Sequence, residues 1–334
     1  MNPDTTPQFA IPEAVQIARE IFGLSATAAA LPSERDQNFL LATAVGEKYV
    51  LKIAKSDEER VVLEFQNAVL RHVAGRAPGL ALPRLRPMPN GEEIAQARDR
   101  RGRPHFIRLI GWLEGQMLAE AAPHADSLLA SLGAMMGQLD RALQGFSHPA
   151  MGRELLWDVR HAGLALEYLP LLPPAQQDVI RKFMGVWHEI GWSGLRHSVI
   201  HGDANDYNVL VRDGLVAGVI DFGDIVHSAV VCDLAIAVAY AMLDKPHPLE
   251  AAATIVRAYH EQFPLTAAEL DALYPLVTAR LCMSLCYAAY NAQTKSGDAY
   301  QQVTAAPGWN LLQQLAMVPT QAAVTTLRDA CRAR

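Results

Sequence analysis

Two short motifs in the second half of the chain carry the side chains that phosphate chemistry requires. The first, at positions 199–208, reads VIHGDANDYN, and the second, at 218–224, reads GVIDFGD. They supply Asp203 as a proton acceptor, with Asn208 and Asp221 as oxygen ligands for a divalent cation. Because Mg²⁺ binds carboxylate and carbonyl-type oxygens together with substrate phosphates, these residues predict phosphoryl transfer from a metal-bound nucleotide.

The residues between the two motifs predict how the metal ligands meet. Two apolar, β-prone segments flank Asp213-Gly214, a dipeptide that favours a tight reversal. Antiparallel pairing would place Asn208, where the first strand begins, beside Asp221, where the second ends. Asp203 lies five residues before Asn208, which is the spacing of a kinase catalytic loop. Each motif alone reads as an ordinary turn, but their order and spacing favour a functional site.

A lysine and a glutamate in the first half of the chain are predicted to form an ion pair. Lys52 lies in an apolar, strand-like segment, where burial of a cation requires an anionic partner. A helix is predicted from about residue 57 to 73, with Glu64 on its apolar stripe. Their pairing would direct Lys52 to the nucleotide phosphates. The alternatives are a snorkelling lysine on an edge strand and a solvated glutamate on the helix flank.

Taken together, these motifs resemble those of the aminoglycoside phosphotransferase and choline kinase superfamily, the small-molecule branch of the protein-kinase-like fold. The segments 33–39 and 63–67, the first motif and the tail from Arg280 to Trp309 are most similar to the hydroxylysine kinase subgroup. That subgroup includes bacterial relatives fused to aminotransferases. The resemblance spans nearly the whole chain.

The resemblance implies roles for individual residues. Asp203 would be the catalytic base, and Asn208 and Asp221 would bind Mg²⁺. The phosphoryl donor would be ATP or GTP, and the sequence does not decide between them. The implied nucleotide-binding residues all lie in the first 113 positions: Asn38, Lys52, Glu64, Gly111 and Leu113.

The chain departs from protein kinases in ways that point to a small acceptor. A polar segment at 33–39 stands where a glycine-rich loop would precede Lys52, and Gly202 replaces the arginine of the catalytic loop. The second motif runs almost directly into the apolar segment 229–239, which leaves no room for an activation segment. These differences argue against a protein substrate.

Charged residues near the motifs predict the class of acceptor. Asp206 and Asp224 remain after the metal ligands and the turn are assigned, and they favour a substrate ammonium group. The alternative for Asp224 is a cap on the next helix. Arg280, in an apolar helix, is predicted either to clamp a substrate carboxylate or to form an interhelix ion pair. We therefore expect an amino alcohol as the acceptor, or a hydroxy amino acid if Arg280 does bind a carboxylate, and hydroxylysine fits the resemblance best.

Two other readings remain open. A related kinase acting on homoserine, choline, ethanolamine or an aminoglycoside would keep the same chemistry. A nucleotide sensor or scaffold without catalytic activity would keep only the fold. The presence of all the predicted catalytic, metal-binding and phosphate-binding residues argues against this alternative.

The predicted fold is α+β and protein-kinase-like, with two lobes. Residues 1–110 would form a nucleotide-binding lobe, an antiparallel sheet with one packed helix. The glycines of 111–115 would form a hinge, and 116–334 a mainly helical lobe that holds the catalytic and acceptor-binding residues.

The composition of the chain limits the binding partners and the cellular compartment that we expect. A formal charge of −6 offers no basic surface for nucleic acid. The four cysteines have no zinc or redox spacing, and no apolar run approaches the roughly 18 residues of a membrane span. The amino terminus lacks the pattern of a signal peptide, so we expect a cytoplasmic location. The sequence leaves the oligomeric state undetermined.

Overall fold

The computed structural model describes residues 5–33, 36–294 and 299–332, which divide into two compact units. The first unit runs to Glu114 and includes His148–Ala150, and the second comprises Gly115–Ser147 and Met151–Arg334. The ring of His148 stacks on Phe65 with centroids 5.2 Å apart, a contact that the sequence did not predict. Parts of the predicted phosphate loop (34–35) and of the tail (295–298) lie outside the described residues.

A five-stranded antiparallel sheet forms the centre of the first unit, in the order β1-β2-β3-β5-β4. Leu41, Leu51 and Leu109 point from it into a core that helix α1 closes with Phe22. This arrangement confirms the predicted antiparallel sheet, although the first unit has two helices, α1 and α2, where one packed helix was predicted. Its elements are α1 (Ile11–Phe22), β1 (Ala26–Leu31), β2 (Gln37–Thr43), β3 (Lys48–Ile53), α2 (Arg60–Arg76), β4 (Ala95–Arg98) and β5 (Pro104–Gly111).

The second unit is mainly helical, as predicted. Its helices are α3 (Asp126–Leu143), α4 (Pro174–His188), α5 (Val231–Ala241), α6 (Pro248–Gln262), α7 (Ala267–Thr294), α8 (Ala299–Ala316) and α9 (Thr320–Ala330), with a long 3₁₀ segment at Val159–Leu171. Short strands complete it: β6 (Gln116–Met117), β7 (His197–Ile200), β8 (Val209–Arg212), β9 (Leu215–Val219) and β10 (Val226–Ala229). They form a three-stranded sheet, β6-β8-β9, and a pair, β10-β7.

Helices α5 and α7 are the most deeply buried elements of the second unit. Every residue of α5 is buried, which explains its uniformly apolar sequence. The α7 segment 267–293 is long and apolar enough to cross a membrane by length and composition alone. However, 83% of its most apolar window is buried within the fold, so α7 packs as a core helix.

Candidate active site

A β-hairpin carries the predicted metal ligands at its open end. Strands β8 and β9 pair antiparallel and are joined by the turn Asp213–Gly214, which confirms the predicted hairpin. Both turn residues have positive φ, 53° and 74°, as a two-residue hairpin turn requires. At the open end the Ile220 N–H donates to the Asn208 carbonyl at 2.9 Å. Asp221 follows Ile220, so the hairpin brings the backbones of the two predicted ligands together.

The Asp203 carboxylate is held by hydrogen bonds to both of its oxygens. Arg280 Nη2 donates to Oδ1 at 2.6 Å. Asn205 Nδ2 and Asn208 Nδ2 donate to Oδ2 at 3.0 and 2.9 Å. The side chain still exposes 21% of its surface, so a substrate hydroxyl can reach a carboxylate whose orientation is fixed.

Asn208 is oriented by the same contacts. Its amide Nδ2 also donates to the Asp203 carbonyl at 2.8 Å, so the nitrogen end of the amide is engaged with Asp203. The carbonyl oxygen Oδ1 is therefore the atom left to bind a cation, and the carboxylate of Asp221 is exposed. Mg²⁺ fits these residues, since one carboxylate and one amide oxygen suit an ion whose other ligands are phosphates and water.

The loop that carries Asp203 is anchored to helix α5. The backbone N–H groups of His201 and Gly202 donate to Asp233 at 2.9 and 2.8 Å, so Asp233 braces the loop. Gly202 has φ of 80°, and a Cβ there would lie 2.4 Å from the Asp224 carbonyl oxygen. Only glycine fits this conformation without displacing that backbone.

Asp221 and Asp224 bracket a short 3₁₀ turn after the hairpin. Asp221 has φ of 59° and accepts the Gly223 N–H at 3.2 Å. Asp224 is buried, with 8% exposure. The proposed capping role of Asp224 is wrong, because strand β10 follows it and α5 begins after Val230 with no side-chain cap.

In this structure Arg280 binds groups of the protein itself, and so it does not have the predicted role of binding a substrate carboxylate. It is 2% exposed, and besides Asp203 it donates to the Trp157 carbonyl at 3.0 Å and to the Tyr240 hydroxyl at 3.4 Å. The rings of Trp157 and Tyr240 lie 4.6 and 5.5 Å from its guanidinium carbon. The ion-pair alternative is therefore the one that forms, and its partner is the catalytic loop rather than another helix.

Two aspartates of the loop have raised pKa values. Burial raises the pKa of Asp203 to about 7 against the lowering effect of Arg280, and the charges of Asp224 and Asp221 raise it further. Burial also raises the pKa of Asp206 to about 7. Asp206 Oδ1 is buried with no hydrogen-bond partner in the described part of the chain, so it can accept from a ligand.

In the first unit, Lys52 lies on β3 directly between Asn38 of β2 and Arg108 of β5. The predicted ion pair between Lys52 and Glu64 is wrong in this structure. Glu64 accepts from Arg60 Nε at 2.8 Å, one turn away on α2, and its side chain is 46% exposed. The solvated-flank alternative applies, because i,i+4 pairing on an exposed helix face needs no buried cation.

Amide side chains, instead of Glu64, form the buried polar face of α2. Arg108 is 3% exposed and donates to Gln66 Oε1 at 2.6 Å and to Asn67 Oδ1 at 2.9 Å. Lys52 and Arg108 are directly opposite in the register, so their side chains share one face of the sheet. The α2 residues that contact this face of the sheet are therefore Gln66 and Asn67, two and three positions after the predicted Glu64.

The remaining predicted nucleotide contacts lie at the end of β5. Gly111 is its last residue and donates to the Arg84 carbonyl at 2.7 Å, and Leu113 follows two residues later, half-buried. Their contact with a base stays a prediction.

Sequence reasoning missed several residues of the site. Asn205 donates to Asp203 and accepts the Tyr207 and Asn208 N–H groups at 2.9 and 3.1 Å. The asparagine itself is a sequence signal that could have been used. Its side-chain oxygen commonly accepts a hydrogen bond from the backbone N–H two residues later, which forms an Asx turn. Trp157 and Tyr240 carry no such signal, since only tertiary packing brings them to Arg280.

The sequence is similar to those of known proteins over nearly its whole length. Hydroxylysine kinase of Mus musculus is 29% identical over 340 residues, covering 92% of this chain and 90% of its own. Hydroxylysine kinase of Danio rerio is 30% identical over 336 residues, covering 93% of each.

Solved structures share the fold at lower identity. The amicoumacin kinase hAmiN gives a TM-score of 0.71 at 15% identity, covering 93% of this chain and 95% of its own. A microcompartment-associated aminopropanol kinase gives 0.68 at 18% identity, covering 96% and 95%.

The fold and these similarities define a small-molecule kinase, a phosphotransferase that acts on an alcohol group. The profile of the phosphotransferase enzyme family matches residues 27–276, three quarters of the sequence. The chain belongs to that family, and the resemblance seen in its motifs is confirmed.

Proposed function

We propose that this kinase phosphorylates the hydroxyl group of hydroxylysine, with a Mg²⁺-bound nucleoside triphosphate as donor. The observation that carries the choice of acceptor is the similarity to hydroxylysine kinases over 92–93% of the chain. The chemistry of the loop and hairpin supports the reaction independently of that choice.

In this proposal Asp203 accepts the proton of the attacking hydroxyl. Arg280, Asn205 and Asn208 fix the carboxylate in place, so little reorganisation is needed when the acceptor binds. A pKa of about 7 suits a general base at neutral pH, because a substantial fraction of the group is ionised and that carboxylate is basic enough to take a proton.

Asn208 and Asp221 would hold the metal ion, and Lys52 stays the predicted phosphate contact of the first unit. When bound, the ion offsets the negative charge on the transferring phosphoryl group. The structure of the amicoumacin kinase contains AMP-PNP and Ca²⁺, which supports a nucleotide with a divalent ion as the donor. The use of Mg²⁺ is part of the proposal and follows from the oxygen donors at the hairpin end.

The acceptor carries ammonium groups and a carboxylate, and the second unit offers groups of both signs. Asp224 and Asp206 are buried carboxylates near the catalytic loop, suited to an ammonium group. Arg153 Nη1 donates to the Gly223 carbonyl at 3.0 Å, beside Asp221 and Asp224. Because Arg280 is engaged with Asp203, we assign the acceptor carboxylate to the half-buried Arg153.

The test is an acceptor panel run with purified enzyme, MgATP and MgGTP. The panel contains hydroxylysine, homoserine, 1-amino-2-propanol, choline, ethanolamine and an aminoglycoside, and both nucleotide consumption and phosphorylated product are measured. The expected result is the highest kcat/KM with hydroxylysine, and a fall of about 10²-fold or more in Asp203→Asn. A higher kcat/KM for another acceptor would overturn the substrate assignment, and no phosphorylated product from any member would overturn the proposed reaction.

A further inference from the structure

Two glycines on α3 let helix α6 approach unusually closely. A Cβ on Gly133 would lie 2.0 Å from the Ile255 carbonyl oxygen, and one on Gly137 would lie 2.8 Å from that of Tyr259. Gly133, Gly137 and Asp140 are spaced four and three residues apart, so they share one face of α3. The close crossing therefore directs Asp140 at α6.

The environment of Asp140 is closed to solvent and poor in donors. Its residue exposure is 1%, and the Tyr259 hydroxyl donates to Oδ2 at 2.6 Å. The other oxygen, Oδ1, is buried and meets no hydrogen-bond donor among the described residues. Ionisation of a carboxyl group with one buried, unbonded oxygen would cost free energy of folding, because a buried charge requires hydrogen bonds or an opposite charge.

A second carboxyl group, that of Asp233, faces Asp140. Asp233 is fully buried, and it accepts the backbone N–H groups of His201 and Gly202, one on each oxygen. Two adjacent carboxyl groups in a buried setting do not both ionise. Asp233 is the ionised member, because both of its oxygens already receive donors.

The cation near Asp140 is Arg196, whose guanidinium is paired with another carboxylate. Arg196 donates to both oxygens of Glu269, at 2.8 and 2.6 Å, so these two charges compensate each other. The groups that face Asp140 are Asp233 of α5, Tyr259 of α6, Glu269 of α7 and Arg196 before β7.

We propose that Asp140 stays protonated at neutral pH and donates a hydrogen bond from Oδ1 to Asp233, and that this acid–carboxylate pair positions the catalytic loop. Asp140 is a positioning residue, since it acts through Asp233 on the loop that carries Asp203. Burial and the charge of Asp233 raise the pKa of Asp140 well above its ordinary value, which agrees with this assignment.

Matched substitutions test the hydrogen bond. Asp140→Ala removes the donor to Asp233, and we expect kcat to fall about tenfold, the scale of one lost hydrogen bond. Asp140→Asn keeps a neutral donor and an acceptor for Tyr259, so most of the lost turnover should return. Asp233→Asn is the reciprocal control and should be severely impaired, because its amide would oppose a backbone N–H. An Asp140→Asn enzyme no better than Asp140→Ala would overturn the proposal.

The pH dependence of stability tests the proton itself, and needs no acceptor. With its folded-state pKa raised above an unfolded value of about 3.9, Asp140 stabilises the fold most at low pH. That contribution is lost as the pH rises towards the folded-state pKa. Asp140→Asn has no such titration, so its melting temperature relative to wild type should rise from pH 4 to pH 8. A difference that stays constant, or falls, over that range would show that Asp140 is ionised in the native state.

Discussion

The guanidinium of Arg280 donates a 2.6 Å hydrogen bond to Oδ1 of Asp203, so a buried cation holds the residue proposed as the base. Trp157 and Tyr240 surround the guanidinium, and a contact to the Trp157 carbonyl fixes its second nitrogen. Charge-assisted hydrogen bonds of this length are strong and directional. The pair therefore sets the direction in which Asp203 presents its carboxylate to an acceptor.

Arg280→Ala should lower kcat by at least about tenfold, because breaking a largely buried ion pair leaves Asp203 without its main partner. The acceptor KM should change little, since we assign the acceptor carboxylate to Arg153 and not to Arg280, which is engaged with Asp203. Free guanidinium added to the Arg280→Ala enzyme should restore part of the turnover. The Arg280→Lys enzyme should be less active than the guanidinium-rescued enzyme, because a lysine ammonium lacks the planar set of donors of a guanidinium. Steady-state kinetics with and without guanidinium measure all three effects. A raised acceptor KM with unchanged kcat would return Arg280 to the role of a carboxylate clamp.

Arg153→Ala should produce the opposite kinetic pattern. Loss of a charged contact to the acceptor carboxylate should raise the acceptor KM by about tenfold or more, with a smaller effect on kcat. An acceptor analogue without the carboxylate should bind wild type and Arg153→Ala equally. Equal loss of affinity for both compounds would show that Arg153 supports only the backbone at Gly223.

Asp203→Asn and Asp221→Ala should separate chemistry from metal binding. Asn at position 203 cannot accept the hydroxyl proton, so kcat should fall by about 10²-fold or more while the nucleotide is still bound. Asp221→Ala removes a predicted metal ligand, so nucleotide affinity should fall in the presence of Mg²⁺ and change little in EDTA. Calorimetric titration of each variant with nucleotide measures the difference. Normal turnover in Asp203→Asn would refute its role as the base.

Local sequence signals predicted the hairpin and its ends. The Asp213-Gly214 dipeptide specifies a turn on its own, and strand pairing then determines which residues meet at the opposite end. The loop contacts of Asn208 to Asp203 follow from the same short segment. Features encoded within about 20 residues were therefore accessible from sequence.

Features that depend on distant elements were not accessible. Glu64 and Gln66 both fit a helix pattern, and only the packing of α2 on the sheet shows that Gln66 meets Arg108 while Glu64 faces solvent. Similarly, Arg280 lies 77 residues after Asp203, and no local rule joins them. Burial of polar groups is decided by tertiary partners, which periodicity does not identify.

The catalytic loop should be intolerant of a side chain at Gly202. Gly202→Ala combines a positive φ with a contact of 2.4 Å to the Asp224 carbonyl oxygen, so it should lower both the melting temperature and kcat. Gly145→Ala is the matched control, because its φ is 75° but its Cβ would meet no atom within 4 Å. The control should lose only the free energy of placing an L-residue in the left-handed region, roughly 1–2 kcal/mol of unfolding free energy, with kinetics unchanged. Equal effects of the two substitutions would mean that the Asp224 backbone moves freely and plays no part in positioning the loop.

Substitutions at Lys52 and Glu64 should have unequal effects on nucleotide use. Lys52→Ala should raise the nucleotide KM and lower kcat, because the predicted phosphate contact is lost. Glu64→Gln should leave both parameters near wild type, since Glu64 pairs with Arg60 on an exposed helix face. Such a pair contributes about 0.3–0.5 kcal/mol, so the melting temperature should also change little. Steady-state kinetics with varied MgATP measure the comparison. A Glu64→Gln enzyme as impaired as Lys52→Ala would show that Glu64 leaves Arg60 to orient Lys52 when the nucleotide binds.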